Sequence, residues 1–184
     1  MSTSSIREYL IRFSRFGLIA KKPNRHWILK GFTREFAEEL FDLRETFELR
    51  AFDRLAAEGL DAPTRERLRV LQSRHKATCE DIDRRYLKFP RLDEAFHRLF
   101  VERLANRFVD DFYEIVAMIF HFHYRWRKSE EKERNLRATQ EHLKVIDALL
   151  EDDFVKAREH YTTHLGQARQ TLLTSVNWES DPDH

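Results

Sequence analysis

The chain has 184 residues, enough for one well-packed domain plus a small appendage. Charged residues make up 35% and hydrophobic ones 41%, with a net charge of +1, so the average charge marks no nucleic-acid binder and any DNA contact must come from a local patch. A single cysteine, Cys79, excludes an internal disulfide, and neither a signal-type apolar run nor a stretch of 18 apolar residues occurs, so a cytoplasmic protein without a membrane span is expected.

Only 4 Gly and 4 Pro interrupt the chain, which favours long helices. Residues 3–16 read as a helix, with Ile6, Tyr9, Leu10, Phe13 and Phe16 at helical spacing and Gly17 as the stop. Residues 18–29 carry apolar ends around Lys21, Lys22, Pro23, Asn24 and Arg25, the pattern of a short β-hairpin. Thr33 is placed as the N-cap of a helix to about Ala57, with Phe36, Leu40, Leu43, Phe47, Ala51 and Leu55 on one face. Gly59 ends it, Pro63 and Thr64 start a helix to about Cys79, a short helix covers 81–88, and Pro90 breaks that one. Further helices are expected over 91–104, from Asn106 to about Trp126, over 132–150, and from Phe154 to about Val176; residues 129–135, almost all polar, read as a solvated stretch or a helix start. The predicted fold is all-α. An antiparallel bundle of six or seven helices fills residues 33–176, a small α/β appendage precedes it over 1–32, and 177–184 form a loose tail.

Three helices of this bundle point ionisable side chains inward. Asp93 and His97 are four residues apart and share one helical face. His142 sits on the stripe of Ala138, Val145, Ile146 and Leu149, and His164 on that of Ala157, Tyr161, Ala168 and Leu172. Leaving such groups buried and unpaired would cost roughly 1–3 kcal/mol for each polar group and more for a charge. One shared cation satisfies all four. Three imidazoles and a carboxylate suit a divalent transition metal, zinc foremost, with nickel, manganese or iron as alternatives. Set against this, a single histidine on an apolar face is more often a hydrogen-bonded core residue than a ligand. His160 pairs with His164 at four residues but lies among Lys156, Glu159 and Thr163, a solvated face; His75, His121 and His123 show no partner pattern.

The run Leu92-Asp93-Glu94-Ala95-Phe96-His97-Arg98-Leu99 resembles the D-x-x-F-H motif of FCD, the effector domain of FadR-like regulators in the GntR family. Asn106 matches that domain's usual Asn, Glu141 to Leu149 resembles its E-H-x-x-I-x-A-I stretch, and Asp153, Ala157 and His164-Leu165 match its D-x-x-x-A…H-L ending. Leu43-Arg44-Glu45 with Glu48 and Ala56-Ala57 resembles its first helix. The likeness runs in order over about 33–175. It implies that Asp93, His97, His142 and His164 bind the metal, and that a small carboxylate or sugar acid reaches it as effector. It also makes Arg44 a candidate for pairing the effector's carboxylate, with surface salt-bridging as the plainer role. Asn106 becomes a candidate polar contact, with helix capping as its plainer role.

Residues 2–29 resemble the second half of a winged helix-turn-helix: Ser2 to Leu10 the start of a recognition helix, and residues 18–29 the wing. On that likeness Ser2, Thr3, Ser5 and Arg7 face the major groove and Lys21, Lys22 and Arg25 the DNA backbone. Thr3 stands where the family has a basic residue and His26 where it has a wing glycine. The helices that precede the recognition helix in the family would lie ahead of Met1, so the chain is expected to begin inside that domain. The implied protein is not an enzyme but a homodimeric regulator that binds operator DNA.

Two other classes compete. A metal-dependent helical-bundle enzyme acting on a small carboxylate could use the same ligands, but no H-E-x-x-H, G-x-S-x-G or phosphate loop occurs, and only Glu94 to His97 fits the E-x-x-H pair of a dinuclear bundle. A nucleic-acid strip over His121-Phe122-His123-Tyr124-Arg125-Trp126-Arg127-Lys128 alternates basic and aromatic residues, yet on a helix these spread around all sides.

Overall fold

A computed structural model describes residues 3–14, 19–22, 26–29, 34–123 and 131–175. The N-terminal part holds helix α1 (Thr3–Ser14) and strands β1 (Ile19–Lys21) and β2 (Trp27–Leu29). The strands pair antiparallel, Ile19 opposite Leu29 and Lys21 opposite Trp27. The bundle follows as α2 (Arg34–Glu58), α3 (Ala62–Glu80), α4 (Ile82–Arg85), α5 (Phe89–Val101), α6 (Arg107–His123), α7 (Glu131–Leu150) and α8 (Phe154–Ser175), with short 3-10 turns at Tyr86–Lys88 and Glu102–Leu104. The expected all-α architecture with a hairpin ahead of it is what the chain adopts. The Thr33 cap and the far end of the expected 106–126 helix lie outside the described residues.

Local signals account for most boundaries. Gly59 closes α2 at φ 74°, a left-handed conformation that glycine takes without steric cost, and its N–H donates to the Leu55 carbonyl. Asp61 caps α3, accepting from the Thr64 amide at 2.8 Å, with Pro63 in the first turn. Pro90 was expected to end a helix and have the next begin at 91. Instead it stands in the first turn of α5, where its missing N–H has no intrahelical acceptor to forgo. The segment before it tightens into α4 and a 3-10 turn rather than one helix over 81–88.

One helical face departs from expectation. The buried stripe of α2 is Ala37, Leu40, Phe41, Arg44, Glu48, Ala51, Phe52 and Leu55, and Leu43 is 48% exposed. The side chains of Leu43 and Arg44 point about 100° apart, and here Arg44 takes the inward side while Leu43 turns to solvent. Arg44 and Glu48 take the inward positions because each neutralises the other inside the bundle.

The main core joins Phe52 and Leu55 of α2, Leu68 of α3, Phe96 and Phe100 of α5, Ile146 and Leu149 of α7, and Tyr161 and Leu165 of α8. Phe100 and Tyr161 lie 4.5 Å apart between centroids. Each such large apolar side chain contributes roughly 1.5–3 kcal/mol on burial. A second cluster packs Leu40 and Phe41 against Ile115, Val116 and Leu172, and Ile19 of β1 rests on it, so the hairpin is seated on the bundle. Among the described residues no helix is long and apolar enough to cross a membrane.

Candidate metal centre and ligand cavity

Asp93 and His97 stand one turn apart on α5, His142 on α7 and His164 on α8, and all four are buried. Their tips converge. His142 Nε2 lies 3.1 Å from His164 Nε2, which lies 3.4 Å from His97 Nε2. Asp93 Oδ1 is 3.6 Å from both His97 Nε2 and His142 Nε2. One ligand atom from each of the four residues falls within 4.8 Å of every other. A cation that holds N and O ligands at about 2.0–2.2 Å keeps neighbouring ligand atoms about 3–3.5 Å apart, so the separations of 3.1–3.6 Å are close to those of neighbours in one coordination shell.

The far side of each imidazole is also held. His97 Nδ1 is 2.7 Å from Glu48 Oε2, and His164 Nδ1 is 2.7 Å from Glu141 Oε2. Carboxylates only accept, so both Nδ1 atoms carry the proton and both Nε2 atoms face inward with a lone pair. Arg44 gives an independent check, since its Nη2 donates to His97 Nε2 at 2.8 Å. His142 Nδ1 meets Nε2 of His75 at 3.0 Å. Lone pairs facing one another among buried side chains repel, and a shared cation relieves them. The donor set therefore fits a divalent metal, with carboxylate–histidine pairs orienting two of the ligands.

Electrostatics agree. Burial opposes ionisation of Glu48, but Arg44 and His97 outweigh it and hold its carboxyl well below the usual range. Glu48 accepts from Arg44 Nε at 2.6 Å, Tyr113 Oη at 2.6 Å and Tyr161 Oη at 2.5 Å. Burial likewise opposes the Asp93 carboxylate, and His97 and Arg44 lower its pKa nonetheless. Burial pushes His142 well below its ordinary value, helped by His164, and lowers His164 too. His97 goes the other way, because Glu48 and Asp93 overcome its burial. The same negative field favours any cation at the centre. Arg44 balances Glu48, which leaves Asp93 and Glu141 to face a divalent ion.

A cavity opens over this cluster, lined by Asp93, Arg44, Arg134, Arg137, Gln167 and Thr171 among others. Arg134 is the residue the sequence did not single out. It falls in the polar stretch 129–135, where α7 begins at Glu131, and its Nε, Nη1 and Nη2 atoms are buried with no hydrogen-bond partner among the described residues. The signal was available only in retrospect: Arg134 lies one helical turn before Ala138 and two before His142, on the same inward face.

The other expected residues are placed as follows. Asn106 precedes α6, and its Oδ1 accepts from the Phe108 amide at 3.0 Å, a capping contact; it is exposed and does not line the cavity. Thr3 and Ser5 lie in the first turn of α1, Arg7 is exposed on that helix, and Lys21 and Lys22 are exposed at the hairpin. Ser2 and Arg25 fall outside the described residues, as do Tyr124 to Lys128 of the aromatic–basic run. Glu94 points away from the centre into an ion pair with Arg98 at 2.9 Å, so Glu94 and His97 do not act as a dinuclear ligand pair.

The family model described as FCD domain matches residues 39–167. The chain belongs to the FCD-domain family of GntR-type regulators. It is 33% identical over 172 residues to the probable HTH-type transcriptional regulator LgoR of Escherichia coli (strain K12), covering 94% of this chain and 57% of LgoR. The chain thus spans somewhat over half the length of that relative. Among solved structures, this FCD chain is similar to E. coli McbR/YncC, with a TM-score of 0.72 at 17% identity, over 96% of this chain and 82% of the other. It is similar to a GntR-type transcriptional regulator from Rhodococcus sp. RHA1, with a TM-score of 0.70 at 17% identity, over 96% and 83%. The metal-free FCD domain of TM0439 matches with a TM-score of 0.61 at 19% identity, over 78% of this chain and 96% of that one. At those identities the structural likeness speaks for the helical fold. Relatives named for their activity are transcription regulators, not enzymes.

Proposed function

We propose that this FCD chain is the sensing part of a cytoplasmic, homodimeric DNA-binding regulator that holds a divalent metal on Asp93, His97, His142 and His164 and responds to a small carboxylate or sugar acid. On this reading residues 1–32 serve DNA, with Arg7, Lys21 and Lys22 exposed for it, residues 33–176 sense the effector, and 177–184 form a tail. The observation that carries it is the convergence of four buried ligand atoms within 4.8 Å of one another. Zinc suits the donor set best. When bound, the metal would supply a Lewis-acidic anchor for an oxygen of the effector.

The chain's own residues supply the rest. Arg134 brings a guanidinium whose buried donors lack partners, and an anionic ligand would satisfy them with a bidentate pair. Arg44 lines the same cavity but is committed to Glu48, so its part is to steady the ligand set and add positive field. Gln167 and Thr171 offer hydrogen bonds suited to hydroxyl groups. The test is metal analysis of the purified chain, followed by thermal shift with citrate, malate and gluconate. Stoichiometric metal that is lost in His142→Ala, with an acid-dependent rise in melting temperature, is expected. A chain that takes up no zinc and melts identically with and without every acid sinks the reading.

A further inference from the structure

His75 had no partner in the sequence pattern, yet it is fully buried on α3, on the stripe of Leu68, Leu71 and Thr78. Its two ring nitrogens touch different things. Nδ1 is 2.7 Å from the Leu71 carbonyl, and Nε2 is 3.0 Å from Nδ1 of His142. Among the described residues no carboxylate holds the far side of His142 as Glu48 and Glu141 hold those of His97 and His164.

The donor and acceptor roles along this chain of contacts have one solution. A carbonyl can only accept, so His75 Nδ1 carries a proton. His75 is fully buried and its ring nitrogens meet a carbonyl and an imidazole, with no carboxylate to balance a second proton, so the ring is neutral and its Nε2 is a bare acceptor. His142 must then donate from Nδ1, which leaves its Nε2 as a lone pair, 3.1 Å from His164 Nε2. A neutral imidazole in water prefers the opposite tautomer, with the proton on Nε2, where it would occupy the position a cation needs.

We propose that His75 is a positioning residue that relays the polarity of the Leu71 carbonyl into His142, fixing the tautomer whose Nε2 lone pair faces the centre. The inference rests on the metal reading above, in which His142 is a ligand. It assigns to a neutral imidazole the role that a carboxylate plays for the other two histidines. The choice matches the surroundings: His142 is fully buried and stacked on Phe96, and a third outer carboxylate would add an uncompensated buried charge.

The test compares His75→Phe, which fills the space without an acceptor, with His75→Gln, whose side-chain oxygen can accept from His142. Two readouts are used: the 15N shifts of His142 in the metal-free chain, which report its tautomer, and zinc affinity by chelator competition. In His75→Phe the proton of His142 should move from Nδ1 to Nε2 and zinc affinity should fall about 10–100-fold. In His75→Gln the Nδ1–H tautomer should persist and affinity should stay within about 3-fold of the parent, on the scale of that same outer-shell effect. An unchanged tautomer in His75→Phe, or equal loss of affinity in both variants with the Nδ1–H form retained, overturns the proposal. Should the parent chain take no zinc, the metal reading fails by itself, and the tautomer comparison still decides what His75 does.

Discussion

Phe96 stacks on the imidazole of His142, with ring centroids 3.9 Å apart and planes inclined by 15°. Phe96 is the aromatic residue of the Asp93-x-x-Phe96-His97 motif, so one helical turn of α5 supplies two of the four clustered side chains and the platform for a third. Phe96→Ala should cost about 3–5 kcal/mol of stability, as for other buried aromatic truncations. Urea unfolding of the metal-free chain measures this, and zinc competition should show weaker binding because His142 loses its platform. A loss below about 1 kcal/mol with unchanged affinity would mean that the stack is incidental.

Arg44 and Glu48 form an ion pair at 2.6 Å inside the bundle, and Glu48 also takes hydrogen bonds from two tyrosines and His97. Removing one partner leaves a buried charge. Glu48→Leu should therefore destabilise the chain by about 3–5 kcal/mol, while the Arg44→Leu, Glu48→Leu double variant loses less than the two single variants together. A double-mutant cycle in urea gives the coupling. Strict additivity would show that the pair is not energetically linked.

Arg134 carries the anionic-effector reading. Arg134→Met keeps the aliphatic stem and removes the guanidinium. Zinc affinity should stay near that of the parent, since Arg134 is not among the ligands, while the thermal shift with small acids is lost. Retention of the full shift in this variant would move the carboxylate contact elsewhere in the cavity.

Three buried histidines set the acid response of the metal-free chain. Burial lowers His75 from 6.5 to about 4, His142 well below 6.5, and His164 below 6.5. Between those values the unfolded chain binds more protons than the folded one, so stability is full above about pH 6.5 and falls as the pH drops from there towards 4. His75 alone accounts for a decline on the order of 3 kcal/mol across that window. His97, raised by Glu48 and Asp93, works in the opposite sense, adding stability in acid that is lost as pH rises through its folded value, but it is one group against three. Urea unfolding from pH 8 to 4 should give a falling curve. Zinc should steepen it, because the metal needs the three ligand imidazoles unprotonated. A flat curve would place these rings in contact with water.

The helices were legible because their signals are local. Gly59, Asp61 and Pro63 mark the α2–α3 junction by chain geometry alone, and the apolar spacing of α5, α7 and α8 fixes which faces turn inward. The grouping was legible too, since Asp93 with His97, His142 and His164 each lie on an inward stripe of one helix, and their side chains do converge. The α2 stripe was misread at Leu43 because apolar character was weighed and mutual neutralisation was not: an Arg and a Glu at inward positions look unfavourable until Tyr113 and Tyr161, far along the chain, are seen to join them.

By itself the sequence determined the class of fold, the rough helix boundaries and the four side chains able to share a cation, because periodicity and donor chemistry belong to each segment alone. Tertiary packing decided their partners. That His75 meets His142, that Glu48 holds His97, and that the Arg134 guanidinium lies in the cavity over the cluster with no partner among the described residues depend on how α2, α3, α5, α7 and α8 cross. Hydrogen bonds and desolvation act over a few ångströms in space, between residues dozens of positions apart, and no spacing along one helix encodes them.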